Sequence, residues 1–153
     1  MKNLKTGIIC LLFILACTVA EAQSDLVREP DNNRPSLFHQ LPQRLNCRLP
    51  NLQTLLELQP GQQVNINIAD NLNFQGVVAS VANKEGGRIN SVVIRSTNFK
   101  GAALSFSKVI KEDGSIQYAG RIISFQHGDA YEIQFENGQY VFLKKGFYDL
   151  VNE

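Results

Sequence analysis

A chain of 153 residues with 44% hydrophobic and 19% charged residues has enough apolar material for one core without staples, so a single domain of ordinary size is expected. Fifteen basic residues stand against 14 acidic ones, interspersed along the chain. The basic excess or stripe that a nucleic-acid or anionic-membrane binder carries is missing, and both partner classes are set aside.

Residues 1–22 read as a secretory signal peptide. Lys2 and Lys5 give a charged start, residues 7–20 are uncharged but too short to span a bilayer, and Ala20-Glu21-Ala22 offers a small-x-small cleavage site. Cleavage after Ala22 removes Lys2, Lys5 and Glu21 and leaves 131 residues with 13 basic and 13 acidic side chains, a net charge of zero. The rival is a lipid anchor at Cys17, since Ile14-Leu15-Ala16-Cys17 resembles a bacterial lipobox. Bulky Leu15 sits where a smaller residue is usual, so cleavage after Ala22 is the preferred reading. Either way the expected location is periplasmic or extracellular. Cys10 and Cys17 leave with the leader, Cys47 stays alone, and stability is expected from sheet packing rather than disulfides.

Residues 23–35 are polar and punctuated by Pro30 and Pro35, and read as a flexible tether to a β domain over 36–153. Pro42 limits the apolar stretch at Leu37, Phe38 and Leu41 to a short helical turn between Ser36 and Gln40. A second short helix is expected after Asn51, its cap, with Leu52, Leu55 and Leu56 at helical spacing and a stop at Gln59-Pro60-Gly61. At about two turns it would not stand alone. It is expected to plug an end or edge of a sheet with its leucines.

From Gln62 the apolar period becomes two. Strands are expected at 63–69, 73–82, 88–96, 102–110, 115–124, 130–136 and 139–145, with short turns at Asp70-Asn71, residues 83–87, 97–101 and 112–114. Gly76 is read as marking a bulge, and Val109 and Ile110 break the alternation of Leu104 and Phe106, which predicts another between Ser107 and Lys111. The last two strands flank Asn137-Gly138, the strongest short hairpin signal, since both central residues of a type I′ turn need φ > 0. A two-residue loop pairs Glu136 with Gln139, then Phe135 with Tyr140, Ile133 with Phe142 and Tyr131 with Lys144, with Glu132, Gln134, Val141 and Leu143 on the other face. The fold class is all-β: a seven-stranded antiparallel meander forming a sandwich or a small partly open barrel, with one or two short N-terminal helices.

No catalytic, metal or nucleotide motif appears. His39, His127 and Cys47 are too few for zinc. No Gly-x-Ser-x-Gly elbow accompanies the serines, and His127-Gly128-Asp129 reads as a loop in which Asp129 accepts a backbone hydrogen bond. Asp70, Asp113 and Asp129 lack the spacing of a calcium loop. No cofactor is expected. Most aromatics sit at strand spacing and belong to the core. Phe99, Phe147 and Tyr148 lie in or beside loops, and with Lys100 they are read as a contact patch for another exported protein. The competing reading folds Phe147 and Leu150 back over the sheet. For Cys47 burial as a small hydrophobe between Leu45 and Leu52 is the favoured fate, with covalent pairing to a second copy or a partner second; if exposed, it would be a reactive thiol, since Arg44 and Arg48 flank it and favour the thiolate.

The succession Tyr118-Ala119-Gly120-Arg121-Ile122-Ile123, Tyr131-Glu132-Ile133, Leu143 and Asp149 resembles the β-rich prodomain-type module of secreted reprolysin-like metalloproteases. The resemblance covers the last third of the chain and implies a prodomain-like inhibitor, with Cys47 as the zinc-masking thiol.

The reading that the residues favour is a non-catalytic exported β module that binds another protein or acts as an accessory. Its alternatives are that prodomain-like inhibitor and a small-molecule carrier with a site in a barrel mouth. The exported form should begin at Gln23, which an intact-mass measurement checks; a lipidated start at Cys17 would contradict it.

Overall fold

The computed structural model describes residues 33–151, so the leader, the Cys17 site and residues 23–32 of the tether lie outside the described residues. In chain order come β1 (Arg44–Asn46), α1 (Leu49–Thr54) with a 3-10 turn (Leu55–Glu57), β2 (Gln63–Ala69), β3 (Leu72–Lys84), β4 (Ile89–Ser96), β5 (Ala102–Ile110), β6 (Ile116–Ser124), β7 (Asp129–Glu136), β8 (Gln139–Gly146) and α2 (Phe147–Val151). The strands form one antiparallel sheet in the order β1-β8-β7-β6-β5-β4-β3-β2, curled into a half-barrel. Of the two expected architectures this is the partly open barrel. The seven expected strands are present, and an eighth, β1, joins β8 through Leu45 opposite Phe142.

The interior is built by the inward-facing alternate residues. Ile68, Phe74, Ile94, Leu104, Phe106, Ile122, Tyr131 and Phe142 are all at 0% exposure, a filled core rather than a chamber. Leu52 and Leu55 reach it from α1 and the turn after it, so the short helix does plug the barrel. Its start differs from expectation: the helix begins at Leu49 with Pro50 in its first turn, and Asn51 donates to the Asn67 carbonyl at 2.7 Å instead of capping.

The last hairpin has the expected register from Glu136–Gln139 to Tyr131–Lys144, with Asn137 at φ 52° and Gly138 at φ 81°. Its outer face is less polar than expected. Ala130 and Val141 are at 0% exposure outside the interior cluster, with Phe147 and Leu150 of α2 also buried; Arg121 donates to the Leu150 carbonyl at 3.3 Å, which holds α2 on that face.

The bulges fall elsewhere. β5 and β6 pair without interruption to Ile110–Ile116, and register shifts occur between Asn67 and Ala69 and between Val78 and Ser80. Gly76 answers a different need, because a Cβ there would lie 2.3 Å from the Arg95 carbonyl oxygen of β4. Gly120 is alike: its Cβ would meet the Ser105 carbonyl oxygen at 2.7 Å and Ile133 Cδ1 at 2.9 Å, whereas nothing lies within 4 Å at Gly138.

Two glycines are therefore kept for opposite reasons. Gly138→Ala should cost about 1 kcal/mol from the left-handed backbone alone, and Gly120→Ala about 1–3 kcal/mol from forced displacement of packed strands. Urea midpoints of the two variants check this; a Gly120→Ala variant that loses less than about 1 kcal/mol would contradict the packing reading, and a Gly138→Ala variant as stable as the native protein would contradict the turn reading.

Candidate functional site

The residue pairs expected to carry chemistry are held apart or used structurally. Ser124 Oγ lies 2.7 Å from His127 Nδ1, but Ser124 is at 0% exposure and Asp129 faces another way. The Asp129 carboxylate accepts from Ser36 Oγ and from the amides of Leu37 at 2.5 Å and Phe38 at 2.9 Å. It accepts backbone hydrogen bonds, as the loop reading expected, and pins the segment that sinks Phe38 between Phe99 and Tyr131. His39 is exposed on that same segment. Asp70 pairs with Arg48 at 3.5 Å, and Asp113 accepts from Ser115 Oγ at 2.6 Å and its amide at 2.9 Å, which holds the Asp113 carboxyl below its usual range. Among the described residues no three His, Cys, Asp or Glu side chains converge on a point that could hold a metal ion. No helix among them is long and apolar enough to cross a membrane.

The four residues read as a contact patch are divided by the structure. Phe99 packs inward against Phe38 and Phe74, with ring centroids 5.4 and 6.1 Å away, and Phe147 is only 5% exposed. Lys100 is exposed and Tyr148 half-buried, with the Arg34 guanidinium over the Phe147 and Tyr148 rings at 4.8 and 5.2 Å. The four do not form one exposed aromatic patch, because Phe38 covers Phe99 and α2 turns Phe147 inward.

Phe125, 73% exposed in the loop after β6, stands by itself against the Phe147 ring at 5.6 Å, whereas at the opposite end of β6 and β7 two exposed apolar side chains meet a pair of tyrosines. Ladder pairing between these strands stops after Arg121–Glu132 and Ile122–Tyr131, whereas β7 and β8 pair over eight positions. Beyond that point the hairpin tips diverge. The β5–β6 register turns the Tyr118 amide toward β7, and with no strand pairing there it donates to Tyr140 Oη at 3.2 Å. Gln53 of α1 donates to Tyr118 Oη at 2.5 Å, which fixes the ring from the other side.

The result is an open lip of the barrel. Ile116 and Phe135 belong by alternation to the inner face, yet they are 49% and 62% exposed. With Tyr118, Tyr140, Gln117 and Lys111 they line a hollow of about 370 Å³, continuous through shared residues with one of about 450 Å³ reaching Ile133 and Gln134. The Phe135 and Tyr140 rings lie 4.9 Å apart, and those of Tyr118 and Tyr140 5.4 Å apart edge to face. The sequence reading assigned both Phe135 and Tyr118 to the core; Tyr118 is there, at 9% exposure, and Phe135 is not. The only available signal for the lip was their nearness to the turns at 112–114 and 137–138.

Cys47 sits where the two edges of the sheet meet. It bridges Ala69 of β2, its amide donates to the Tyr140 carbonyl at 3.0 Å, and its side chain is half-buried against the core. Arg44 and Arg48 do not activate it, being paired with Glu136 and Asp70 at 3.5 Å each. Burial pushes the thiol up to about 12.

No family of proteins matches this chain, and no curated protein or solved structure is significantly similar to it.

With so little thiolate at pH 8, Cys47 should react with iodoacetamide roughly a thousandfold more slowly in the native than in the unfolded protein. Between about pH 8.5 and 12 the unfolded chain has lost a proton that the native state keeps, so stability should fall as pH rises through that window. Labelling rates and urea midpoints at pH 7 and 10 check both; native labelling as fast as unfolded would contradict the burial.

Proposed function

We propose that this protein is a non-catalytic, exported protein-binding module that docks an extended segment of another exported protein on the lip formed by the β5–β6 and β7–β8 tips. The observation that carries the reading is the exposure of Phe135 and Ile116 beside Tyr140, a small aromatic groove rimmed by Gln117, Gln134 and Lys111. Amphipathic aromatics over an apolar floor with amides at the rim are what a peptide-binding surface requires.

Two further features support this choice of occupant. The interior is filled by side chains, which favours docking at the lip over enclosure of a small molecule, the carrier alternative. A second copy is a poorer occupant, because two exposed apolar side chains fall far short of the roughly 1,200–2,000 Å² that a stable dimer buries. A short peptide needs no such area. The use of Ser124, His127 and Asp129 in turn and strap contacts supports a non-catalytic role, and the leader supports export.

The test is selection of peptides from a displayed library on the native protein. Selected peptides should carry apolar residues and lose at least about tenfold in affinity against Phe135→Ser or Ile116→Thr, while Val81→Thr, at a 38% exposed position on β3, leaves binding unchanged. Peptides that bind all three variants equally would overturn the proposal.

A further inference from the structure

The outer face of β2 and β3 has an unusual composition for a solvent-facing surface. The residues that alternation turns outward there are Gln63, Asn65 and Asn67 on β2 and Asn73, Gln75 and Val77 on β3, five neutral amides and one aliphatic side chain. Register places Asn65 opposite Gln75 and Asn67 opposite Asn73.

These amides orient one another. Asn73 Nδ2 donates to Oδ1 of both Asn65 and Asn67 at 3.1 Å, and Gln75 Nε2 donates to Asn73 Oδ1 at 3.2 Å. Asn98, from the loop after β4, holds the strand beneath them by donating to the Asn73 carbonyl at 2.9 Å and accepting from the Gln75 amide at 3.0 Å. An amide offers two donors and two acceptor sites, so the Nδ2 groups of Asn65 and Asn67 and Oε1 of Gln75 keep capacity for a ligand. Beside them a groove of about 320 Å³ runs past Gln63, Asn65, Gln75, Val77 and Thr97.

We propose that this face binds a neutral glycan. Vicinal hydroxyls are each donor and acceptor, and an amide can bridge two of them through its N–H and carbonyl, so an ordered row of amides matches a polyhydroxylated chain. Mutual hydrogen bonding holds the amides before the ligand arrives, which lowers the ordering cost that flexible surface amides would carry. Other ligand classes fit less well. A phosphate backbone or acidic polymer needs cations, and Arg95, opposite Val77, is the one such group in register with the face. A protein partner needs an apolar centre, and Val77 alone is 37% exposed. The face is separate from the aromatic lip, and neither proposal depends on the other.

The experiment titrates cellohexaose, xylohexaose and maltohexaose into the 15N-labelled protein. One of them should shift the side-chain amide signals of Asn65, Asn67 and Gln75 with a Kd of about 1 mM. Asn65→Leu and Gln75→Leu should weaken that binding at least ~10-fold, while Phe135→Ser leaves it unchanged. Melting curves separate this from a register-locking role: a Gln75→Leu variant that melts as the native protein and no longer binds supports the proposal. Absence of shifts with all three oligosaccharides at ~20 mM would overturn it, as would equal binding by the variants or binding of a heparin oligosaccharide alone.

Discussion

A half-barrel has two edges of unpaired peptide groups, and how those edges are joined governs much of this structure. The short segment around β1 does the joining. On one side the Lys144 amide donates to the Gln43 carbonyl at 2.8 Å and the Cys47 amide to Tyr140. On the other the Arg48 amide donates to the Ile68 carbonyl at 2.9 Å and the Asp70 amide to Asn46 at 3.2 Å, so β8 is stitched to β2 through six residues. The chain leaves that seam at the barrel end, with Arg48 O accepting from Asn51 and Leu52, and α1 is thereby aimed at the interior. The position of the plug follows from the seam, and the lip opens where the β6–β7 ladder ends.

The other end is sealed by the segment before β1. Asp129 holds its backbone, Lys144 Nζ donates to the Phe38 carbonyl at 2.7 Å and to the Leu41 carbonyl, and Tyr131 Oη donates to Pro42 at 2.5 Å. Burial, with Asp129 as a second cause, pushes the Tyr131 phenol up to about 12, in keeping with a hydroxyl that serves as a donor to main chain. These polar groups bind backbone, and they hold the segment before β1 against the sheet.

The strands were legible because turn residues and alternation are local signals, and seven of them fell within two residues of their expected bounds. β1 was not, since three residues show no period and its partners Val141, Phe142 and Leu143 lie at the far end of the chain. The same distance hid the fate of Phe99: its neighbouring Gly101 marks a turn, but nothing nearby announces that Phe38 will cover the ring. Phe135 failed in the opposite sense. Its alternation is regular, but its exposure follows from the early end of the β6–β7 ladder, which the sequence does not announce. The amide face was half visible, as Gln63, Asn65 and Asn67 stood on the solvent side of β2, while the match to Asn73 and Gln75 needed the register.

The brief ladder between β6 and β7 divides the sheet unevenly. On one side five consecutive strands form a meander from β2 to β6; on the other, β7, β8 and β1 form a ribbon that includes the local hairpin and the chain's earliest strand. Two residue pairs, an Arg121–Glu132 ion pair at 3.1 Å and side-chain contacts span the junction. Breaking a ladder costs least where it is shortest, so excursions from the native state should begin along this line, with the ribbon swinging away as a unit while both halves keep their own pairing. Because the β7–β8 hairpin can form from adjacent residues whereas β1 must find β8 across most of the chain, closure of the ribbon onto β2 belongs late in folding, and the seam at Cys47 is the last stitch.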